Sequence, residues 1–216
     1  MNDRTSELIA RLSSDLKPVP RLALDRRMAT ALMLGAALAL ALLVVSLGLR
    51  QDLGVAAGQW VLWVKLGYAA ALGIGGYLLC SQAARPDAQP RWRVLVVMLP
   101  IALVAMGALL QVVSLPAGMR RDAWLGETAS VCPWLIGMLS IPCWLALCFV
   151  MRRAAPTKLR WAGFCAGLLA GAIAMFVYSL HCPETGLAFV ATWYTLGMGL
   201  PAMAGAVMGS WVLRWR

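Results

Sequence analysis

A single histidine, His181, occurs in 216 residues, and only nine residues are acidic. One imidazole cannot supply the multi-histidine ligation that holds haem or copper in many membrane oxidoreductases. No HExxH, P-loop, GxSxG or CxxC motif occurs, so the chain carries no recognisable catalytic signature. Charge of either sign is scarce: 13% of residues, where a soluble globular chain carries about a quarter. What fills the space is apolar. Hydrophobic residues make up 62% of the chain, and the mean hydropathy is +0.77.

The apolar residues fall in runs long enough to cross a hydrocarbon core about 30 Å thick. Within lipid every backbone N–H and C=O must be satisfied inside the segment, so runs of this length are helices. The alternating pattern of a membrane β-barrel is absent. The sequence predicts an all-α, polytopic six-helix transmembrane bundle with spans at 28–48, 60–80, 94–115, 131–150, 162–180 and 189–212. A short amphipathic helix is expected in the polar segment 1–27. The first run follows that segment and exceeds a signal-peptide core in length, which argues against a cleaved signal. The connections are short and rich in Pro, Gly and charge, as in ARPDAQPRWR (84–93), and none has room for a second domain.

The net charge of +10 sits at the ends of the runs and reads as topology, not as a nucleic-acid surface. With the N-terminus inside, fifteen of the 19 Lys and Arg residues lie on the inner side; Arg50, Arg120 and Arg121 lie outside and Lys65 within a span. Both termini are therefore expected in the cytoplasm. Trp60, Trp63, Trp134 and Trp193 are placed at the outer interface, and Trp92, Trp161, Trp211 and Trp215 at the inner one, depths their amphipathic rings favour. Gly163, Gly167 and Gly171 form overlapping GxxxG units in the fifth span, and Gly205 and Gly209 form another in the sixth. Such faces let helix backbones approach closely in lipid. Spacing alone leaves open whether they meet within one chain or between two.

Two polar side chains inside spans raise the alternative of a small six-span transporter or permease-like subunit. Lys65 lies near the outer end of its helix, where it is expected to snorkel to the interface. Gln111 lies one turn from its own outer end. No chain of acids or histidines crosses the membrane with them. The N-terminal segment offers a different function. Leu8, Ile9, Leu12 and Leu16 fall on one helical stripe, a helix this short needs a surface to bury it, and its charges balance. Balanced charge favours a protein groove over the bilayer, whose interfacial helices carry a basic face.

The stretches LIARLSSDLKPVPRL, WLIGMLSIPCW with RRAAPTKLRWAG, and AGAIAMFVYSLHCPETGLAFVATWY resemble the NrsF-type anti-sigma factors, a bacterial inner-membrane family. The resemblance covers essentially the whole chain and is most specific at LHCPE followed by WY. It implies a negative regulator that holds a cytoplasmic extracytoplasmic-function sigma factor at the membrane until a stress signal releases it. It implies no direct contact with nucleic acid and no cofactor. The chain lacks the histidine-and-cysteine zinc head of another anti-sigma class, and it has no large periplasmic sensor domain, so sensing falls to short loops or to the bundle.

Of six cysteines, Cys80, Cys143, Cys148 and Cys165 read as small buried hydrophobes. Cys132 and Cys182 map to the outer edge, each followed by proline. They read either as incidental thiols in interfacial turns or as a sensing pair in an oxidising compartment. His181 and Glu184 flank Cys182; with Cys132, Cys182 and His181 as candidate ligands they point to a soft metal ion or to a tuned thiol.

Overall fold

The structure is a computed structural model that describes residues 3–14, 22–85 and 91–214. Among these residues every regular element is helical: α1 (Asp3–Ser14), α2 (Ala23–Ser46), α3 (Leu53–Ala56), α4 (Trp60–Ala83), α5 (Arg91–Ser114), α6 (Ala117–Leu125), α7 (Cys132–Ala154), α8 (Leu159–Tyr178), α9 (Leu187–Phe189) and α10 (Thr195–Val212). A π-helical segment, Val190–Tyr194, joins α9 to α10 so that all three form one continuous helix. Six helices are long and apolar enough to cross a membrane: α2, α4, α5, α7, α8 and the continuous Leu187–Val212 helix. This is the expected all-α bundle. The short helices α3 and α6 lie in connections that the sequence reading left irregular.

Chain chemistry sets the helix ends. α2 stops at Gly48, whose φ of 76° is left-handed and whose N–H returns to the Leu43 carbonyl at 2.9 Å, the closing turn that glycine permits. α7 opens with Pro133 in its first turn, where the missing N–H costs nothing. It ends at Ala155, a non-glycine residue at φ 51°.

α8 is the hub. In its most apolar 18-residue window 78% of positions are buried, against 11% for α5 at the periphery. It packs on α10, α4, α7 and α2. Its glycines face α10: Gly163 lies against the backbone of Gly205 and Gly209, Gly167 against Pro201 and Ala202, and Gly171 against Met198. A Cβ at Gly163 would stand 2.9 Å from Gly209 Cα, closer than any side chain tolerates. The two GxxxG faces therefore meet each other within one chain. On the far side of the bundle, Gly35 of α2 receives Cys143 of α7, with only 2.5 Å between a built Cβ and Cys143 Cα. Cys80, Cys143, Cys148 and Cys165 are buried among apolar neighbours.

The connections 47–59, 115–131 and 179–186 come together at one end of the bundle, called here the distal end. Asp25 at the start of α2 meets the other end of α4, accepting a hydrogen bond from Tyr77 Oη at 3.1 Å.

A buried thiol and lysine cluster at the distal end

The loop that follows α8 is held from three sides. Arg50 N donates to the Leu180 carbonyl at 3.3 Å, and the Gly48 carbonyl lies 2.9 Å from His181 Nδ1. A carbonyl only accepts, so this contact assigns the ring proton to Nδ1. The Cys182 carbonyl then receives two cations, Lys65 Nζ at 3.2 Å and Arg50 Nη1 at 3.5 Å. Arg50 also forks onto Asp52, with both N–O distances 2.6 Å. That bidentate hydrogen bond holds the Arg50 guanidinium above its ordinary value, burial opposing it. The same bond holds the Asp52 carboxyl below the usual carboxylate range.

The position of Lys65 corrects the sequence reading. It does not snorkel: it is 1% exposed, because the 180–187 loop closes over the start of α4 and offers a carbonyl where water was expected. Its ammonium also sits 5.5 Å from the centre of the Tyr194 ring, a cation–π contact that partly replaces lost hydration.

Cys132, at the first position of α7, and Cys182 are both free and fully buried. The structure brings them to one aromatic cluster: Tyr178 interacts electrostatically with both thiols. Lys65 interacts electrostatically with both sulfurs. The Tyr194 hydroxyl, also buried, lies near Cys182 and meets no partner in hydrogen-bond geometry. The Tyr178 ring lies tilted against those of His181 and Tyr194, with ring centres 5.8 Å apart in each pair. The π-helical turn Val190–Tyr194 carries Tyr194 into this cluster. Such single-turn bulges often occur at functional sites.

Glu184 interacts electrostatically with Lys65 and Cys132, and its carboxylate has hydrogen bonds of its own. Its Oε1 accepts from Glu127 N at 2.8 Å and from Thr128 N and Oγ1, both at 3.1 Å. It clips the loop before α7 to the loop after α8. Gly126 adjoins the clip at φ 55°, and a Cβ there would stand 2.5 Å from Glu184 Oε2. Among the described residues no group of three or more His, Cys, Asp or Glu is gathered that could hold a metal ion. His181 Nδ1 meets the Gly48 carbonyl, and Glu184 Oε1 is engaged by the 127–128 turn.

Gln111 is likewise structural: its Oε1 accepts from Leu187 N at 2.8 Å and Ala188 N at 3.4 Å, capping α9. Trp193 Nε1 donates to the Trp124 carbonyl at 2.9 Å and ties α6 to the sixth span. Sequence reasoning missed Tyr178 and Tyr194. A signal for the first was present, since Tyr178 precedes Cys182 by four residues, one helical turn.

At the other extreme of the chain, α1 leaves Leu8, Ile9 and Leu12 exposed at 57%, 57% and 64%. Its Arg11–Glu7 ion pair (2.8 Å) joins two of its own residues, and Ser13 and Ser14 bond back to the carbonyls of Ala10 and Arg11. Leu16 lies outside the described residues.

Fold and site together define a helical bundle of the membrane-spanning type, with a buried thiol cluster at one end and an exposed amphipathic helix near its N-terminus. The chain belongs to the NrsF family, negative regulators of sigma F, whose family model matches residues 12–215. It is 38% identical over 212 residues to a probable anti-sigma-F factor NrsF of Azospira oryzae, covering 98% of this chain and all of that protein. It is 33% identical over 213 residues to the anti-sigma-F factor NrsF of Caulobacter vibrioides, again over 98% of this chain and the whole relative. No solved structure matches it.

Proposed function

We propose that this chain is an anti-sigma factor of the bacterial inner membrane, with both termini cytoplasmic, that sequesters an extracytoplasmic-function sigma factor and releases it on a stress signal read at the distal end. The observation that carries the reading is α1: its stripe of Leu8, Ile9 and Leu12 is exposed. A lone helix of 12 residues is marginal in water without a surface to cover that stripe. A groove on a sigma factor would cover it, together with Leu16, which shares the stripe in sequence. Family membership supports the same partner. The transporter alternative loses its two residues, because Lys65 and Gln111 are committed to the loop at Cys182 and to the cap of α9.

The signal in this reading is an oxidant. Two free, buried thiols that both interact with the same Tyr178 are the reactant set for a disulfide. A peroxide takes one sulfur to the sulfenic acid and leaves as water. The second thiol then displaces a second water as the S–S bond forms. His181 and Glu184 serve by holding the loop that carries Cys182.

The test of the partner is direct. Leu12→Asp with Leu16→Asp, expressed at normal levels in the membrane, should no longer repress a reporter of the sigma factor's regulon and should no longer retain it in a pull-down from solubilised membranes. Full repression by that double variant would refute the reading, since truncating or charging the central anchors of an interface removes most of its affinity.

A further inference from the structure

An ammonium group buried in a span is costly unless it is paired, and among the described residues no carboxylate forms an ion pair with Lys65. Its neighbours are the Cys182 carbonyl at 3.2 Å, the Tyr194 ring at 5.5 Å and, electrostatically, the sulfurs of Cys182 and Cys132. Glu184, which interacts with Lys65 electrostatically, has its Oε1 engaged by Glu127 and Thr128. The hydrogen bond alone does not require a lysine; a neutral amide would serve the carbonyl as well and at lower cost in desolvation. What only a cation supplies in this place is charge.

We propose that Lys65 is the positioning residue of the thiol pair, the fixed positive charge against which negative charge develops on sulfur when Cys182 or Cys132 reacts. The inference rests on the thiol reading given above. A thiol attacks an oxidant as its thiolate. In a water-excluded pocket, a preorganised opposite charge is worth far more than the same charge in water. In the first step the reacting thiol gives up its proton, the sulfur takes the terminal oxygen of a peroxide, the O–O bond breaks, and the departing hydroxide recovers the proton as water. Lys65 gives up no proton; it remains ammonium throughout. In the second step the other sulfur attacks the sulfenic acid, its proton leaves with the hydroxyl as water, and the disulfide forms beside the same charge. Lys65 also touches the residue it serves, since the carbonyl it holds belongs to Cys182 itself. The electrostatic role that the sequence assigned to His181 thus falls to a residue in another span.

The experiment uses the full chain in liposomes, follows loss of free Cys132 and Cys182 thiols by mass spectrometry under hydrogen peroxide, and repeats the measurement with the neutral alkylating reagent N-ethylmaleimide. Lys65→Gln keeps a donor able to serve the Cys182 carbonyl and removes the charge; Lys65→Arg keeps the charge. We expect Lys65→Gln to slow both reactions by about tenfold or more, the scale of one unit charge at short range in protein, and Lys65→Arg to restore the rate to within about threefold. All variants should react equally once denatured in dodecyl sulfate, and thermal unfolding identifies any variant that has lost its fold. A folded Lys65→Gln that reacts at the wild-type rate overturns the proposal, as does a folded Lys65→Arg as slow as Lys65→Gln. Cys132→Ser and Cys182→Ser, tested for sigma-factor release, separate the two ideas. Normal release by both serine variants defeats the thiol reading, whereas lost release with an unaltered Lys65→Gln rate defeats only the role of Lys65.

Discussion

Removing the Glu184 carboxylate should unfasten the start of α7 while leaving the bundle intact. Glu184 Oε1 accepts three hydrogen bonds, from Glu127 N at 2.8 Å and from Thr128 N and Oγ1 at 3.1 Å. In Glu184→Ala these donors turn to water at the rim, so each loses its net worth and not the full penalty of a buried orphan. With about 0.5–1.5 kcal/mol per bond, the clip contributes about 2 kcal/mol, or about a 30-fold shift in the local opening equilibrium. Glu184→Gln retains one neutral carbonyl acceptor and should lose less than half of that. The assay is amide hydrogen exchange of residues 126–132, whose own turn is closed by Val131 N and Cys132 N on the Thr128 carbonyl at 3.1 and 2.9 Å. Exchange there should rise about 30-fold in Glu184→Ala, with α8 amides unchanged. Because Cys132 opens α7, its thiol should also react faster. Unchanged exchange at 127 and 128 in Glu184→Ala would refute the assignment of Glu184 as a clip.

The glycine face between α8 and α10 predicts that Gly163→Leu destabilises the protein by at least about 1–3 kcal/mol in detergent unfolding, the range for overpacking, because the new side chain would meet Gly205 and Gly209 backbone; the same change at half-buried Gly199, around whose built Cβ nothing lies within 4 Å, serves as the neutral control. The Arg50–Asp52 fork predicts an acid-sensitive loop. Asp52 is lowered from its ordinary value of 3.8 by the Arg50 hydrogen bond, so its contribution is fully present above that value and is lost as pH falls through the folded one. Nuclear magnetic resonance of the Arg50 Nε–H should show the fork intact above pH 4 and opening only in stronger acid, and Asp52→Asn should abolish that transition. Reporter fusions after Arg93 and Arg160 should read as cytoplasmic, and those after Gly54, Asp122 and Glu184 as periplasmic; a periplasmic Arg160 fusion would contradict the orientation drawn from the Lys and Arg asymmetry.

The six long helices were legible because lipid leaves the backbone no alternative: an apolar run of about 20 residues has to close its own hydrogen bonds. The short ones were not. The segment of α6 mixes Arg120, Arg121 and Asp122 with Trp124 and has no long run to announce it; it is fixed by Trp193 reaching the Trp124 carbonyl, a contact between residues far apart in sequence. The π turn at Val190–Tyr194 has no composition of its own either, since one extra residue in a helical turn is decided by what the side chains meet. GxxxG spacing gave the close face but not its partner, which only the third dimension supplies.

At the distal end, neighbours along the chain part company in space. His181 and Glu184 flank Cys182 along the chain, yet the turn sends the imidazole to Gly48 and the carboxylate to Glu127 and Thr128, while the charge beside the sulfurs arrives from α4 as Lys65. The same turn explains how a buried event can bear on the rest of the molecule. Cys182 is tied through His181 and Arg50 to Gly48 and the end of α2. Cys132 begins α7, which packs along α2 with Cys143 seated on Gly35. Both cysteines are thus linked by contacts to α2, the helix that continues in sequence toward α1 and its exposed stripe. Close packing at Gly35 leaves no slack for α7 to shift without α2 following. A bond between the sulfurs changes the affinity of the head only to the extent that it favours one arrangement of α2 over another, which makes the Gly48 and Gly35 contacts the places where that preference is set.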